Sequence, residues 1–325
     1  MQVLDVQPLK FDRWLQIIEQ EYFAAYLPAG GAAAKFVVAD SGADDAALGR
    51  LVPAAGALAA RHGMLSVHLS AGATRLHMLQ DVFFAIAGAL PWDDLLRRYL
   101  ETLFSRNGYP WPQPGGALSM AELAREFGVA ATLLGRSRDQ WLSHDLWEDP
   151  HLAQDFRAAM LRLCLARLEP DDADEGAGSP VAQWLRGEKV GLALLRQYDI
   201  AARINRTNAR AMLISLCHWL RKAGPKGLLL TLDLRPALRP APMAEGDLRY
   251  SPAAVMDLYE VLREVIDDLE HLPGLFLLGF ADQELMAGDR RRTLDAYKAL
   301  EMRIWPDVRP GDRQNPLAPL VTVSG

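Results

Sequence analysis

The chain has 325 residues, of which 50% are hydrophobic and 23% are charged, an ordinary composition for a globular protein with one large or two small domains. Its net charge of -6 gives no general reason to expect nucleic-acid binding, although a local basic patch stays possible. Cys164 and Cys217 lie in apolar, helix-like segments, so isolated thiols in a reduced compartment are expected and a disulfide framework is not. Neither a signal-peptide layout nor a membrane-length apolar run is present, which predicts a cytoplasmic protein without membrane segments.

The first elements of the chain form a strand, a turn and a helix. Apolar residues at helical spacing predict a helix over 11–27, and the apolar run Phe36 to Ala39 predicts a buried strand over 35–40. A turn containing Gly42 follows, and an Ala- and Leu-rich segment predicts a helix over 44–61. This layout is typical of a phosphate-binding loop, in which the free N–H groups of a helix N-terminus face an anion.

The residues of this loop differ from the phosphate-binding pattern Gly-x-x-x-x-Gly-Lys-Ser/Thr. Ala39 and Asp44 stand at the two glycine positions, Asp45 stands at the lysine, and Ala46 stands at the hydroxyl residue. Two carboxylates therefore lie where a polyphosphate would bind, and like charges ~4 Å apart repel by ~1 kcal/mol even in water. Asp44 and Asp45 also make a good N-cap and first helical turn, and on that interpretation they bind nothing.

The rest of the chain alternates between helical and strand-like segments. Further strands are predicted over 64–70, 227–233, 274–282 and 317–323. Further helices are predicted over 79–104, 119–128, 151–168, 180–186, 189–197, 205–223, 252–270 and 293–304. The acidic stretch 169–179 lacks the spacing of a calcium loop and is interpreted as a solvated linker. His144, Asp145 and His151 lack the spacing of a zinc helix, so no metal is predicted.

Five strands separated by helices predict a doubly wound parallel α/β sheet within a single domain over 1–325. The segment 79–223 is too long for one crossover and is predicted to be a helical insertion between the second and third strands. Ligands of such sheets bind at the carboxyl ends of the strands. The loop after the first strand and Asp233, at the tip of the third, are both expected at that edge.

Five short motifs occur in the order in which one family carries them. They are Leu69-Ser70 with Arg75-Leu76-His77, Trp184-Leu185-Arg186-Gly187-Glu188, Lys226-Gly227 leading to Asp233, Gly279-Phe280, and Tyr297 with Ala299, Leu300 and Arg303. On these motifs the chain resembles the ATP-binding proteins of BREX-type phage-defence systems, the BrxD-like branch of the AAA+-related P-loop NTPases. The resemblance covers most of the chain and implies an AAA+-like P-loop fold in which Asp233 is the Walker B aspartate.

Three departures from the family separate this chain from an active ATPase. Asp45 replaces the Walker A lysine, Ala46 replaces its serine or threonine, and Leu234 stands where the Walker B glutamate is expected. The chain also ends at Gly325, where the family continues into a helical lid, so no C-terminal lid domain is expected. Phosphoryl transfer depends on positioning, a metal ion and charge stabilisation. The departures therefore imply a pseudo-ATPase with no catalytic residue, no cofactor and no bound metal.

The resemblance implies a structural or regulatory subunit that binds an active ATPase or another defence-system protein, or that forms a homo-oligomer. Arg303, or the run Arg290-Arg291-Arg292, could reach the nucleotide of a neighbouring subunit, although a solvated or locally paired cationic face is the simpler interpretation. A competing hypothesis is a DNA-binding accessory module of such a complex. It rests on basic residues in 202–226 and 290–292, which carry no interleaved aromatic motif. Weak ATP hydrolysis is the third possibility.

Overall fold

A computed structural model describes residues 7–39, 44–112, 119–169, 179–241, 244–305 and 314–324, with the side chains of 44–48 outside the description. The chain divides into two compact units. The first contains residues 1–82 and 225–325, and the second contains residues 83–224. Among the described residues, no helix is both long enough and apolar enough to cross a membrane.

The first unit is built on a six-stranded sheet. Its strands are β1 (Leu9–Lys10), β2 (Ala33–Ala39), β3 (Leu65–Ser70), β4 (Leu228–Asp233), β5 (Leu275–Ala281) and β6 (Leu320–Ser324). The order across the sheet is β1-β6-β2-β5-β4-β3, and every neighbouring pair is parallel. The predicted α/β class and parallel sheet are therefore confirmed. The predicted number of five strands is wrong, because β1 is a two-residue edge strand that is too short to show any apolar pattern.

The central strands are mostly apolar because they are covered on both faces. All seven residues of β5 are buried. Glycine allows the closest approaches within the sheet: a Cβ added at Gly279 would lie 2.6 Å from the ring of Phe36, and one at Gly227 would lie 2.2 Å from the carbonyl oxygen of Gly274. These two positions therefore accept no larger residue without a shift of their neighbours.

One charged residue lies inside this apolar sheet. Lys35 of β2 is only 4% exposed. Its ammonium donates hydrogen bonds to the carbonyl oxygens of Leu317 and Ala318, and it lies 5.0 Å from the centre of the Tyr22 ring. Burial lowers the pKa of Lys35 from its ordinary value of 10.5 to about 8. The side chain ties β2 to the segment that precedes β6.

The α-helices follow the sequence pattern with several differences. In chain order they are α1 (Phe11–Ile18), α2 (Asp44–Arg61), α3 (Leu79–Ala89), α4 (Trp92–Arg106), α5 (Met120–Glu126), α6 (Ala131–Leu142), α7 (Gln154–Leu168), α8 (Pro180–Leu185), α9 (Leu192–Gln197), α10 (Ala209–Lys222), α11 (Arg235–Leu238), α12 (Pro252–Asp267), α13 (Glu284–Ala287) and α14 (Lys298–Ile304). The single helix expected over 79–104 is wrong, because Pro91 separates α3 from α4 and proline lacks the N–H that a continuous helix needs. Helix α6 was not predicted.

The second unit is helical in its described residues, which contain no strand. Its fully buried side chains include Tyr99, Phe104, Phe156 and Trp219. The hydroxyl of Tyr99 donates a 2.9 Å hydrogen bond to Asp145, whose other carboxylate oxygen lies 2.7 Å from Arg106. The buried hydroxyl of Tyr99 therefore has a hydrogen-bond acceptor, and the charge of the Asp145 carboxylate is balanced by Arg106.

Candidate functional site

The strand order creates a switch point between β2 and β5. From β2 the chain crosses β5 and β4 to reach β3 at the far edge of the sheet. From β5 it runs in the opposite direction, across β2, to reach β6. Neighbouring parallel strands whose connections leave in opposite directions open a crevice at their carboxyl ends, where α/β proteins bind ligands. The candidate site therefore lies where β2, β4 and β5 end.

The strand that precedes the predicted phosphate-binding loop ends at this crevice. Ala39 is the last residue of β2 and is fully buried, and α2 begins at Asp44. Residues 40–43, including Gly42, lie outside the described residues, as do the side chains of Asp44, Asp45 and Ala46. The strand and the helix thus stand in the expected succession. The predicted repulsion by the two carboxylates stays a prediction.

The carboxylate of Asp233, at the end of β4, is bound by Arg235. The Arg235 Nε lies 2.9 Å from one carboxylate oxygen and its Nη2 lies 2.8 Å from the other, so the guanidinium engages both oxygens. Both side chains are mostly buried, 13% exposed for Asp233 and 12% for Arg235. The backbone N–H of Arg235 donates a further hydrogen bond of 3.1 Å to Asp233. Bidentate pairs of this kind are among the stronger charge-assisted hydrogen bonds.

Leu234 follows Asp233 and turns into the protein. Its side chain is 1% exposed, and its N–H donates a 2.8 Å hydrogen bond to the carbonyl oxygen of Phe280. A leucine side chain has no group that can bind or orient a water molecule. Leu234, which was predicted to stand at the position of the Walker B glutamate, is therefore part of the apolar core.

A pocket of about 330 Å³ opens beside the Asp233–Arg235 pair. Its lining comprises Gly49, Val52, Pro53, His68, Asp233, Arg235 and Phe280. The His68 Nδ1 lies 2.9 Å from the Thr231 hydroxyl, so the ring is hydrogen-bonded along the strand pair β3–β4. Desolvation by the surrounding protein lowers the pKa of His68, which favours the neutral imidazole at neutral pH. The volume is at the small end of the range for ligand pockets.

A second carboxylate at the same edge is also bound by an arginine. Asp282 follows β5, its side chain is 3% exposed, and Arg239 contacts it with its Nε and Nη2 at 2.7 and 2.6 Å. Gln283, the next residue, donates a 3.2 Å hydrogen bond to the carbonyl oxygen of Ala39. Within the described part of the chain, no group of three His, Cys, Asp or Glu side chains could hold a metal ion. Sequence reasoning missed both pairs, although the two-residue spacing of Asp233 and Arg235 was a visible signal for the first.

The arginines that were candidates for a contact in trans lie in different surroundings. Arg303 engages both oxygens of Asp267, with its Nη2 at 2.9 Å from one of them. Arg292 is 6% exposed and donates to the carbonyl oxygens of Ala237 and Tyr250. Arg292 is therefore held by contacts within its own chain, and a contact in trans by these arginines stays a prediction.

The two other arginines of this run, Arg290 and Arg291, are exposed, and Arg291 pairs with Asp289 at 3.4 Å.

Part of the basic content expected to favour DNA is used within the second unit. Lys222 lies 3.0 Å from the carboxylate of Asp149 and donates to the carbonyl oxygen of Asp145. Arg203 donates to the carbonyl oxygen of Val190 at 3.0 Å. These contacts reduce the charge available to phosphates, and DNA binding stays an untested prediction.

Comparison with known proteins identifies the family. The family model described as BREX system ATP-binding protein BrxC/D matches residues 139–325. No curated protein and no solved structure matches the chain significantly. The match includes β4, β5 and β6, with Asp233 and Arg303, and begins after β2 and α2. Because it spans more than half of the chain, the protein belongs to the family of BREX system ATP-binding proteins BrxC/D.

Proposed function

We propose that this protein is a pseudo-ATPase, an AAA+-like P-loop protein with a doubly wound sheet that does not hydrolyse ATP. It acts as a structural or regulatory subunit of a BREX-type defence complex. One observation carries the proposal: the only aspartate at the end of β4 has both carboxylate oxygens occupied by the guanidinium of Arg235. Family membership supports the complex, and this ion pair supports the loss of hydrolysis.

The argument from the ion pair is electrostatic. A Walker B aspartate holds the magnesium ion that neutralises the phosphates. Here a guanidinium already lies at 2.8 Å from Asp233, so a magnesium ion at the same carboxylate would have to displace it. If both cations stayed, a divalent and a monovalent charge ~4 Å apart would repel by ~2 kcal/mol in water and by more in a partly buried site.

The loop residues act in the same direction. Asp45 and Ala46 replace the cation and the metal-binding hydroxyl of an active P-loop, and Leu234 is buried where a water-orienting acid is required. Positioning, metal binding and charge stabilisation are then all weakened. A protein that keeps the sheet without these groups retains surfaces for packing against a partner, and an active ATPase or another subunit of the system is the partner that we propose.

The test compares three forms of the full chain by calorimetric titration with ATP and Mg²⁺. The unmodified protein should show no magnesium-dependent binding. The combination Asp45→Lys, Ala46→Thr and Arg235→Ala should gain it, because the loop regains its cation and hydroxyl and Asp233 is released. The control combines Asp45→Lys and Ala46→Thr with Arg239→Ala, which opens the other Arg–Asp pair of the edge and leaves Asp233 paired. It should bind ATP and Mg²⁺ about tenfold more weakly than the form with Arg235→Ala, a difference of ~1.4 kcal/mol.

Tight magnesium-dependent ATP binding by the unmodified chain would contradict the proposal, as would ATP turnover that disappears in Asp233→Ala. The structural role is tested separately by purifying the native protein with its associated proteins. Recovery of a stable complex with another subunit of the same defence system is expected, and a monomer that retains no partner at low salt would refute this role.

A further inference from the structure

The second unit contains its own pocket, separate from the sheet edge. It has a volume of about 720 Å³. Its lining comes from the end of α3, the start of α4 and the turn between them, together with the end of α7 and helix α8 with the residue that follows it. This volume is within the range of pockets that hold small organic ligands. The apolar part of its wall comes from Leu90, Leu96, Leu163 and Ala182, together with one aromatic residue, Trp92.

Trp92 is held in a defined orientation at this wall. Its indole Nε1 donates a 2.7 Å hydrogen bond to the carbonyl oxygen of Ala87, and its ring packs against Trp219 with centres 5.4 Å apart. The polar atom of the indole is therefore satisfied within the protein. The part of the side chain that borders the pocket offers aromatic surface, against which a planar ring can stack.

One cation of this pocket, Arg167, has no carboxylate partner within the part of the chain that the structure describes. Its Nε is completely buried without a hydrogen bond, and no ion pair of Arg167 occurs among the described residues. A buried donor that lacks a partner destabilises the folded state, and more so when the group is charged. The other charged groups of the wall are balanced or exposed: Arg186 donates to Glu188 at 2.6 Å, Asp94 is paired with Arg98 at 2.9 Å, and Asp93 lies at the surface.

We propose that this pocket binds a small organic anion, a carboxylate or phosphate attached to a flat aromatic ring. The anion accepts from the part of the Arg167 guanidinium that lines the pocket, with Arg186 as a second cation at the same wall. The ring lies against Trp92 and the leucine side chains. The carboxylate of Asp93 can accept a hydrogen bond from a hydroxyl or amino group of the ligand.

Two probes represent the two sources of this chemistry, indole-3-acetate for an aromatic carboxylate and AMP for an aromatic phosphate. Each is titrated calorimetrically into the full chain beside its uncharged counterpart, indole or adenosine. At least one anion should bind, and it should bind at least tenfold more tightly than its counterpart, because a charge-assisted contact to Arg167 is gained. Asp233→Asn should leave this binding unchanged, which separates the pocket from the sheet edge.

Two variants test the location. Arg167→Gln should reduce the affinity for the anion to that of the uncharged counterpart. The matched control is Arg162→Gln on the same helix, since Arg162 pairs with Asp199 away from this wall and its removal should change nothing.

Gly88→Leu should block the pocket without harming the fold, because a Cβ at Gly88 would meet no atom within 4 Å and the residue lies in a helix. Gly135→Leu, at an equally open helical glycine of α6, should leave binding intact. The proposal is overturned if neither anion binds, or if binding is the same in the unmodified chain, Arg167→Gln and Gly88→Leu. Failure here would leave the proposed loss of ATP hydrolysis untouched.

Discussion

Replacing Lys35 by methionine should remove a pH-dependent part of the folding stability. Lys35 is 4% exposed in the centre of β2, and its ammonium is held by two carbonyl oxygens of the 317–318 segment. Its pKa falls from 10.5 to about 8, because burial disfavours the charged form. The unfolded chain therefore binds the proton more strongly than the folded one between these two pKa values.

The magnitude follows from the two pKa values. Stability rises with pH wherever the unfolded state binds more protons. For pKa values of about 8 folded and 10.5 unfolded, the contribution of Lys35 increases by about 1 kcal/mol between pH 7 and pH 9, out of a total of ~3 kcal/mol when the whole interval is crossed. The Lys35→Met variant lacks this increase, because methionine does not titrate.

The assay is urea unfolding at pH 7, 8 and 9, followed by tryptophan fluorescence. The difference in unfolding free energy between the unmodified protein and Lys35→Met should change by about 1 kcal/mol over this range in favour of the unmodified protein. Lys298→Met, at a lysine whose side chain is 70% exposed, is the control for removing a lysine from the surface. Parallel pH profiles for the unmodified protein and Lys35→Met would refute the reasoning.

Two further predictions concern packing and reactivity. Gly279→Ala should destabilise the protein by about 1–3 kcal/mol in the same unfolding assay, because its Cβ would lie 2.6 Å from the Phe36 ring. Gly135→Ala, at a helical glycine with open space around it, is the control and should be neutral or slightly stabilising. Equal effects of the two substitutions would contradict the close approach at Gly279. Cys164 and Cys217 should not react with a thiol reagent in the native state at pH 8, because burial raises the pKa of Cys164 and raises that of Cys217 to about 12, and both should react in urea. Rapid reaction of either thiol under native conditions would show that it is accessible.

Local pattern was sufficient for most elements of the sheet unit. The apolar runs that end at Ala39, Asp233 and Asp282 predicted β2, β4 and β5 within one or two residues, because strands that are covered on both faces must be apolar along their whole length. The same patterns could not reveal β1, whose two residues are a strand only because β6 lies beside them. The order of the strands likewise depends on contacts between distant segments.

At the candidate site, the sequence by itself supplied the prediction that Asp45, Ala46 and Leu234 replace the groups of an active P-loop. Only the tertiary structure decided what each group contacts. It brought Arg235 onto both oxygens of Asp233, buried Lys35 within β2, and placed Arg167 in a pocket of the helical unit with no hydrogen-bond partner for its Nε among the described residues. The physical reason is that periodicity records whether a side chain is buried, whereas its partner and its charge state depend on which remote segments fold against it.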